Sequence, residues 1–182
     1  MAKTYIQKGS IAAVDIMATF GITTKSIPDM KLDAKDVFKR DWIDQQGDSE
    51  YIPAIRTFKG YEDSLQFVYK GTLGAAGAAI RTFMAYLAGS EFSIYDEFSG
   101  RGFRCRFSGY NPVASYRITE DVIVFEVKVK INNPLSYAVT TIPSSANGMT
   151  VYWDNGTTTT LTTGGSAGSA PSIFAIVSPT SL

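Results

Sequence analysis

Residues 121–131 constrain this chain most. Ile123, Phe125, Val127, Val129 and Ile131 alternate with Val122, Val124, Glu126, Lys128 and Lys130. A period of two is that of a β-strand, so the first set forms one fully apolar face. The second set begins apolar and turns charged, so one end of the strand is covered on both faces. Such a strand needs neighbours in a sheet and a layer across its apolar side. The chain is therefore expected to be mainly β.

Other segments fit that frame. Ser64 to Tyr69 alternates Leu65, Phe67 and Tyr69 with Ser64, Gln66 and Val68, and Tyr51 to Phe58 is expected beside it. Glu91 to Phe98 and Phe103 to Phe107 read as a hairpin joined by Ser99-Gly100-Arg101-Gly102. Ile11 to Phe20, closed by Gly21, reads as one or two short strands, and 111–119 as a loop. One helix is expected over Ala75 to Leu87, with Thr72 as N-cap and Gly89 as C-terminal cap. Its apolar stripe is Ala76, Ile80, Phe83, Met84 and Leu87. Residues 23–50 read as an extended, loop-rich segment of the kind that packs on a partner.

After Asn132-Asn133-Pro134 the composition shifts. Residues 135–182 carry a single charged residue, Asp154, and are rich in Thr, Ser, Gly and Ala. Met149 to Trp153, the turn Asp154-Asn155-Gly156 and Thr157 to Thr163 read as a hairpin, and Ser172 to Ser178 adds Ile173, Phe174, Ile176 and Val177. This segment has few large apolar groups, and its order is expected to come mainly from a neighbouring subunit or partner. The fold expected is thus mainly β with one α-helix: a β-sandwich or barrel-like domain over 1–134 and a small β-rich, low-charge extension over 135–182.

Composition narrows the chemistry. Seventeen basic and seventeen acidic residues balance, so nothing steers the chain to nucleic acid or to an anionic membrane. There is no His, which removes His-based triads and the commonest metal ligand. The lone Cys105 excludes an intramolecular disulfide and a Cys-based zinc site. It fits a reducing cytosol, and beside Phe103 and Phe107 it reads as a core thiol. The longest apolar run, Leu73 to Ala88, is interrupted by Arg81 and too short to span a membrane. The N-terminal residues lack the apolar core of a signal peptide.

Several constellations invite a chemical reading. Asp41, Asp44, Asp48 and Glu50 offer hard oxygen ligands for calcium, but their spacing is not that of an EF-hand, and a solvated loop or inter-subunit ion pairs is the better account. Asp96 and Glu97 beside Arg101 and Arg104 resemble paired glycosidase carboxylates, yet neighbours on a strand point to opposite faces, so hairpin charge pairing is expected. Gly71 to Gly77 holds Gly-x-x-Gly-x-x-Gly before a helix; it matches neither nucleotide pattern and reads as small residues for close helix packing. Tyr152 and Trp153 offer a stacking platform for a sugar, with ordinary packing as the alternative.

The run Asp15-Ile16-Met17-Ala18-Thr19-Phe20-Gly21-Ile22, then Ile27-Pro28, then Arg40-Asp41-Trp42-Ile43-Asp44-Gln45-Gln46-Gly47, resembles the opening of siphophage distal tail proteins. In that family a Phe-Gly-Ile step, a Pro-containing linker and an Arg-Asp-Trp-like segment precede a hairpin, a helix and further strands. The same order runs here over about residues 10 to 131. The resemblance implies a virion structural protein, not an enzyme: a belt-domain ring, six-fold in the family, at the distal tail or baseplate. It implies a homohexamer whose other partners are the tail tube protein and the hub or receptor-binding proteins. It also implies assembly in the host cytoplasm, no cofactor, no membrane insertion and no sequence-specific nucleic acid. Arg40, Asp41, Trp42, Asp44, Tyr152 and Trp153 are the candidate interface residues. Many members carry a larger galectin-like C-terminal lobe, for which the residues after Pro134 are too few. The alternatives are another ring-forming tail component, a tube or tail-completion protein, or a carbohydrate-binding module using Tyr152 and Trp153.

Overall fold

A computed structural model describes residues 3–28, 30–35, 39–41, 48–50, 58–119, 122–141, 149–161 and 171–179, with the backbone alone for 39–41, 48–50, 73 and 112–115. The fold is mainly β, built from antiparallel sheets with two helices. Strand β1 is Thr4–Lys8, β2 Ile11–Asp15, and α1 Ile16–Phe20. Strand β3 is Ile22–Ser26, and β4 (Lys39–Asp41) pairs with β5 (Asp48–Glu50). Strand β6 is Tyr61–Lys70, α2 Leu73–Leu87, β7 Glu91–Asp96, β8 Arg101–Thr119 and β9 Val122–Ile131. The remaining strands are β10 (Tyr137–Val139), β11 (Thr150–Trp153), β12 (Thr158–Thr160) and β13 (Ala175–Ser178).

Seven strands form one sheet in the order β2-β1-β7-β8-β9-β6-β3. The alternating segment is the central strand β9, paired with β6 over its whole length and with β8 on the other side. Its apolar set faces α2. Phe83 of the helix meets Phe67 at 5.0 Å, Phe20 at 5.4 Å and Phe125 at 6.2 Å between ring centroids. Ala76, Ile80, Phe83 and Leu87 are buried there as their spacing requires, with Met84 partly so. The sheet is open, because its outer strands β2 and β3 do not pair with each other. It is nonetheless rolled so far that the Thr24 hydroxyl of β3 donates to that of Thr4 in β1 at 2.9 Å.

The helix α1 lies where a strand was expected. The reason is local: the Asp15 carboxylate accepts from the amides of Met17 and Ala18, and Gly21 at φ 68° closes the turn. Residues 111–119, expected as a loop, continue β8 through irregular register steps until Thr119 stands opposite Val122. The partner of β6 away from β9 is β3. Residues 51–57, expected in that place, lie outside the described residues. Gly74 and Gly77 do not serve close packing: a Cβ at Gly74 would meet nothing within 4 Å, and at Gly77 only the Arg81 guanidinium at 3.7 Å.

Four strands from the low-charge region form a second sheet, β10-β13-β11-β12. It covers the face of β1, β7 and β8 opposite α2. Tyr95 stacks on Phe174 at 5.1 Å, and Ile176 joins them with Tyr5, Ala138 and Tyr152 around them. Gly102 sits where a Cβ would fall 2.9 Å from that of Ala138, so the sheets meet backbone to side chain. On the far side of the small sheet, Val151, Trp153, Leu161 and Ala175 make a cluster of their own. The hairpin around Asp154 therefore packs on its own chain, against the expectation that a neighbouring subunit or partner mainly orders it.

Candidate functional site

The polar groups of the β7–β8 hairpin that suggested chemistry are occupied by structure. Asp96 accepts from the Ser99 amide (3.0 Å) and hydroxyl (2.8 Å), and from Thr4 Oγ1 (3.1 Å). Glu97 accepts from the Lys3 amide at 2.9 Å. Arg104 does not pair with Asp96 or Glu97. Its Nε donates to Glu91 at 3.0 Å, and its guanidinium lies 4.0 Å from the centre of the Tyr152 ring. Burial pushes the Cys105 thiol well above its ordinary pKa.

Tyr152 and Trp153 do not form a sugar platform. They point to opposite faces of β11, as strand neighbours must. Tyr152 lies under Arg104, and Trp153 is buried with its indole N–H donated to Thr159 Oγ1 at 3.0 Å. Arg40 and Asp41 sit on β4, paired with β5 through Arg40–Ser49 and Asp41–Asp48. Trp42 and Asp44 lie outside the described residues. Among the described residues no group of three His, Cys, Asp or Glu side chains is placed to hold a metal. No helix among them is long and apolar enough to cross a membrane.

Among the described residues, exposed large apolar side chains gather at two places, with Ile11 on β2 and Tyr110 in the middle of β8 standing apart. At one end of the long strands lies a groove of about 280 Å³ whose walls include Met30, Tyr61, Phe103, Ile131, Pro134 and Tyr137. Met30 is 55% exposed and Tyr137 38%. Phe98, 87% exposed, rides on the turn beside it, which the Asp96–Ser99 bonds and Gly100 at φ 65° hold in shape. The segment carrying Met30 is strapped down. Lys31 pairs with Asp63 at 2.6 Å and lies over the Tyr61 ring, and the Lys59 amide donates to the Asp33 carbonyl at 2.7 Å. The hydrogen bond from Lys31 to Asp63 is the main cause that raises the lysine pKa.

At the opposite end, the last residues of β8 run along the start of β9 as a short arm of the sheet, with Tyr116 and Ile118 about half exposed. Lys25 steadies its base, donating to the Tyr116 hydroxyl at 3.0 Å. On the same outer surface Glu126 accepts from Asn111 (3.0 Å) and Ser64 (2.9 Å), which hold its carboxyl below the usual carboxylate range.

Neither surface is among the residues singled out from sequence. The arm had a signal in the exposed alternation Tyr116-Arg117-Ile118-Thr119, masked by Pro112. The groove draws on residues 28 and 30, 61, 100–103, and 131, 134 and 136–138, and no local pattern joins them. No protein-family model matches the chain, and no curated protein matches it in sequence.

Proposed function

We propose that this chain is a structural component of a phage tail that assembles into a homo-oligomeric ring, at the distal tail or baseplate, between the tail tube and the hub or receptor-binding apparatus. The observation that carries the reading is the pairing of a rigid β scaffold with large apolar side chains left exposed at both of its ends. Apolar side chains exposed at both ends are the kind of surface that assembly of subunits covers. The order of sequence segments resembling distal tail proteins supplies the tail, the ring and the six-fold expectation. In this reading residues 1–134 are the ring-forming belt and 135–182 its extension, and no catalytic role is involved. The occupied Tyr152 and the buried Trp153 weigh against a carbohydrate-binding module. A tube or tail-completion protein remains the second reading, because the exposed ends serve any ring-forming tail component.

Solution mass tests the proposal. The full chain should run as a discrete oligomer or enter one with tail partners. A monomer at every concentration, with no place in an assembled tail, would refute it.

A further inference from the structure

We propose that Asn155–Gly156 is a site of spontaneous covalent modification, held inert by the docking of the small sheet, and that its conversion undoes that docking. The inference does not depend on the ring reading.

The pair sits in the β11–β12 turn, where the small sheet meets the edge of the large one. The Asp154 carbonyl accepts from the Ala13 amide of β2 at 2.6 Å. Gly156 lies against Ser10, in the turn between β1 and β2: a Cβ there would fall 2.5 Å from the Ser10 carbonyl carbon. Gly156 also has φ 89°, so both its space and its backbone call for glycine. Asp154 is buried, and its carboxylate accepts from the amides of Ile173 and Phe174 on the approach to β13. One turn thus ties β2, β11 and the approach to β13 together.

A glycine after an asparagine has a chemical consequence. No side chain hinders the Gly156 nitrogen, which is the nearest main-chain nucleophile to the Asn155 carboxamide. Its attack on Asn155 Cγ forms an N–C bond, and the Cγ–Nδ2 bond breaks. The Gly156 proton leaves with Nδ2 as ammonia, and a cyclic imide remains. Water then opens the ring at either carbonyl, giving aspartate or isoaspartate. In isoaspartate the main chain runs through Cβ and Cγ and is one atom longer. Water is the sole co-reactant, and nothing is oxidised or reduced.

The folded turn blocks the first step. Burial is not the reason, because Asn155 is exposed. The Gly156 N–H is donated to the Trp153 carbonyl at 3.1 Å. Asn155 Oδ1 accepts from the Thr157 amide at 2.9 Å and hydroxyl at 2.7 Å. Ring closure swings the Gly156 nitrogen toward Cγ and breaks these bonds. The contacts with Ala13 and Ser10 keep the turn from opening to allow it. Conversion acts in the other direction. An extra main-chain atom between the Asp154 carbonyl and the Gly156 nitrogen cannot keep both the Ala13 bond and the Ser10 contact in register. Isoaspartate therefore holds the small sheet undocked.

The test incubates the full chain at mildly alkaline pH, in buffer and in urea. Chymotryptic cleavage after Trp153 separates this pair from Asn147–Gly148, and conversion is read as a gain of one mass unit. Asn155 should convert at least about tenfold more slowly in buffer, since three hydrogen bonds must break first. Ala13→Pro removes the N–H donated to Asp154 at an edge strand, where proline is tolerated. It should keep the wild-type circular dichroism and close most of that gap. Thr157→Val, which removes the hydroxyl donor and leaves the strand pairs alone, should move the rate the same way by less. The isoaspartyl chain, separated by its added negative charge, should lose hydrogen-exchange protection at Val151–Trp153. Asn155→Asp, with the same charge and an ordinary backbone, should keep it. Equal conversion in buffer and urea would overturn the lock. Variants that convert as slowly as wild type would overturn docking as its cause. An isoaspartyl chain protected like the wild type would overturn the release.

Discussion

Truncating Phe83 to alanine probes the packing on which the fold depends. The ring is fully buried on α2 and touches three others, Phe20, Phe67 and Phe125, at centroid distances of 5.4, 5.0 and 6.2 Å. Its planes cross theirs at 62°, 73° and 81°, the edge-to-face arrangement in which the positive rim of one ring meets the negative face of another. Removing a buried Phe costs about 3–5 kcal/mol through lost transfer energy and the cavity left behind. Three edge-to-face partners and a rigid sheet beneath place this site in the upper half, about 4–5 kcal/mol. For a chain of this size each kcal/mol moves Tm by about 2–4 °C, so a fall of roughly 8–20 °C follows. Urea unfolding of Phe83→Ala against wild type measures it, both below the concentration at which the chain assembles. Phe98→Ala is the control: at 87% exposure it should change the stability of the isolated chain by less than about 0.5 kcal/mol. A loss under about 1 kcal/mol for Phe83→Ala would show that α2 does not close the core.

Three further outcomes follow. Asp154 is buried and its carboxylate accepts from the amides of Ile173 and Phe174, so Asp154→Ala should cost about 1–3 kcal/mol for each amide left unpaired, read by the same unfolding curves. Hydrogen exchange on the dissociated chain should find Val151–Trp153 and Ala175–Ser178 protected, because β11 and β13 are interior strands of their sheet; rapid exchange there would return their order to a partner. Asn111 and Ser64 hold Glu126 below the ordinary carboxylate pKa, so its contribution is present above the unfolded-state pKa and lost as pH falls through the folded value. Glu126→Gln should therefore flatten the acid limb of the stability–pH curve, and an unchanged limb would contradict the assignment.

Patterns carried within a few residues were legible in the sequence. The alternation of 122–131 gave the central strand, and the 3.6-residue stripe from Ala76 to Leu87 gave the helix and the face it buries. Features decided by distant partners were not. Ile11 to Phe20 reads as one or two short strands until the Asp15 carboxylate is seen capping Met17 and Ala18. Tyr152 and Trp153 read as an aromatic pair until the sheet turns one under Arg104 and the other inward. Residues 135–182 read as poorly anchored because their apolar groups are small; four short strands stacked on Tyr5 and Tyr95 bury enough of them together. The groove was beyond reach, since four separate stretches of chain build it.

The central claim is assembly, and electron microscopy of the purified full chain tests it most directly. Class averages should show a closed ring with a central channel, six-fold if the resemblance to distal tail proteins extends to symmetry. Uniform single-subunit particles at concentrations where subunits of a ring would associate, and no such ring in the tail itself, would contradict the account.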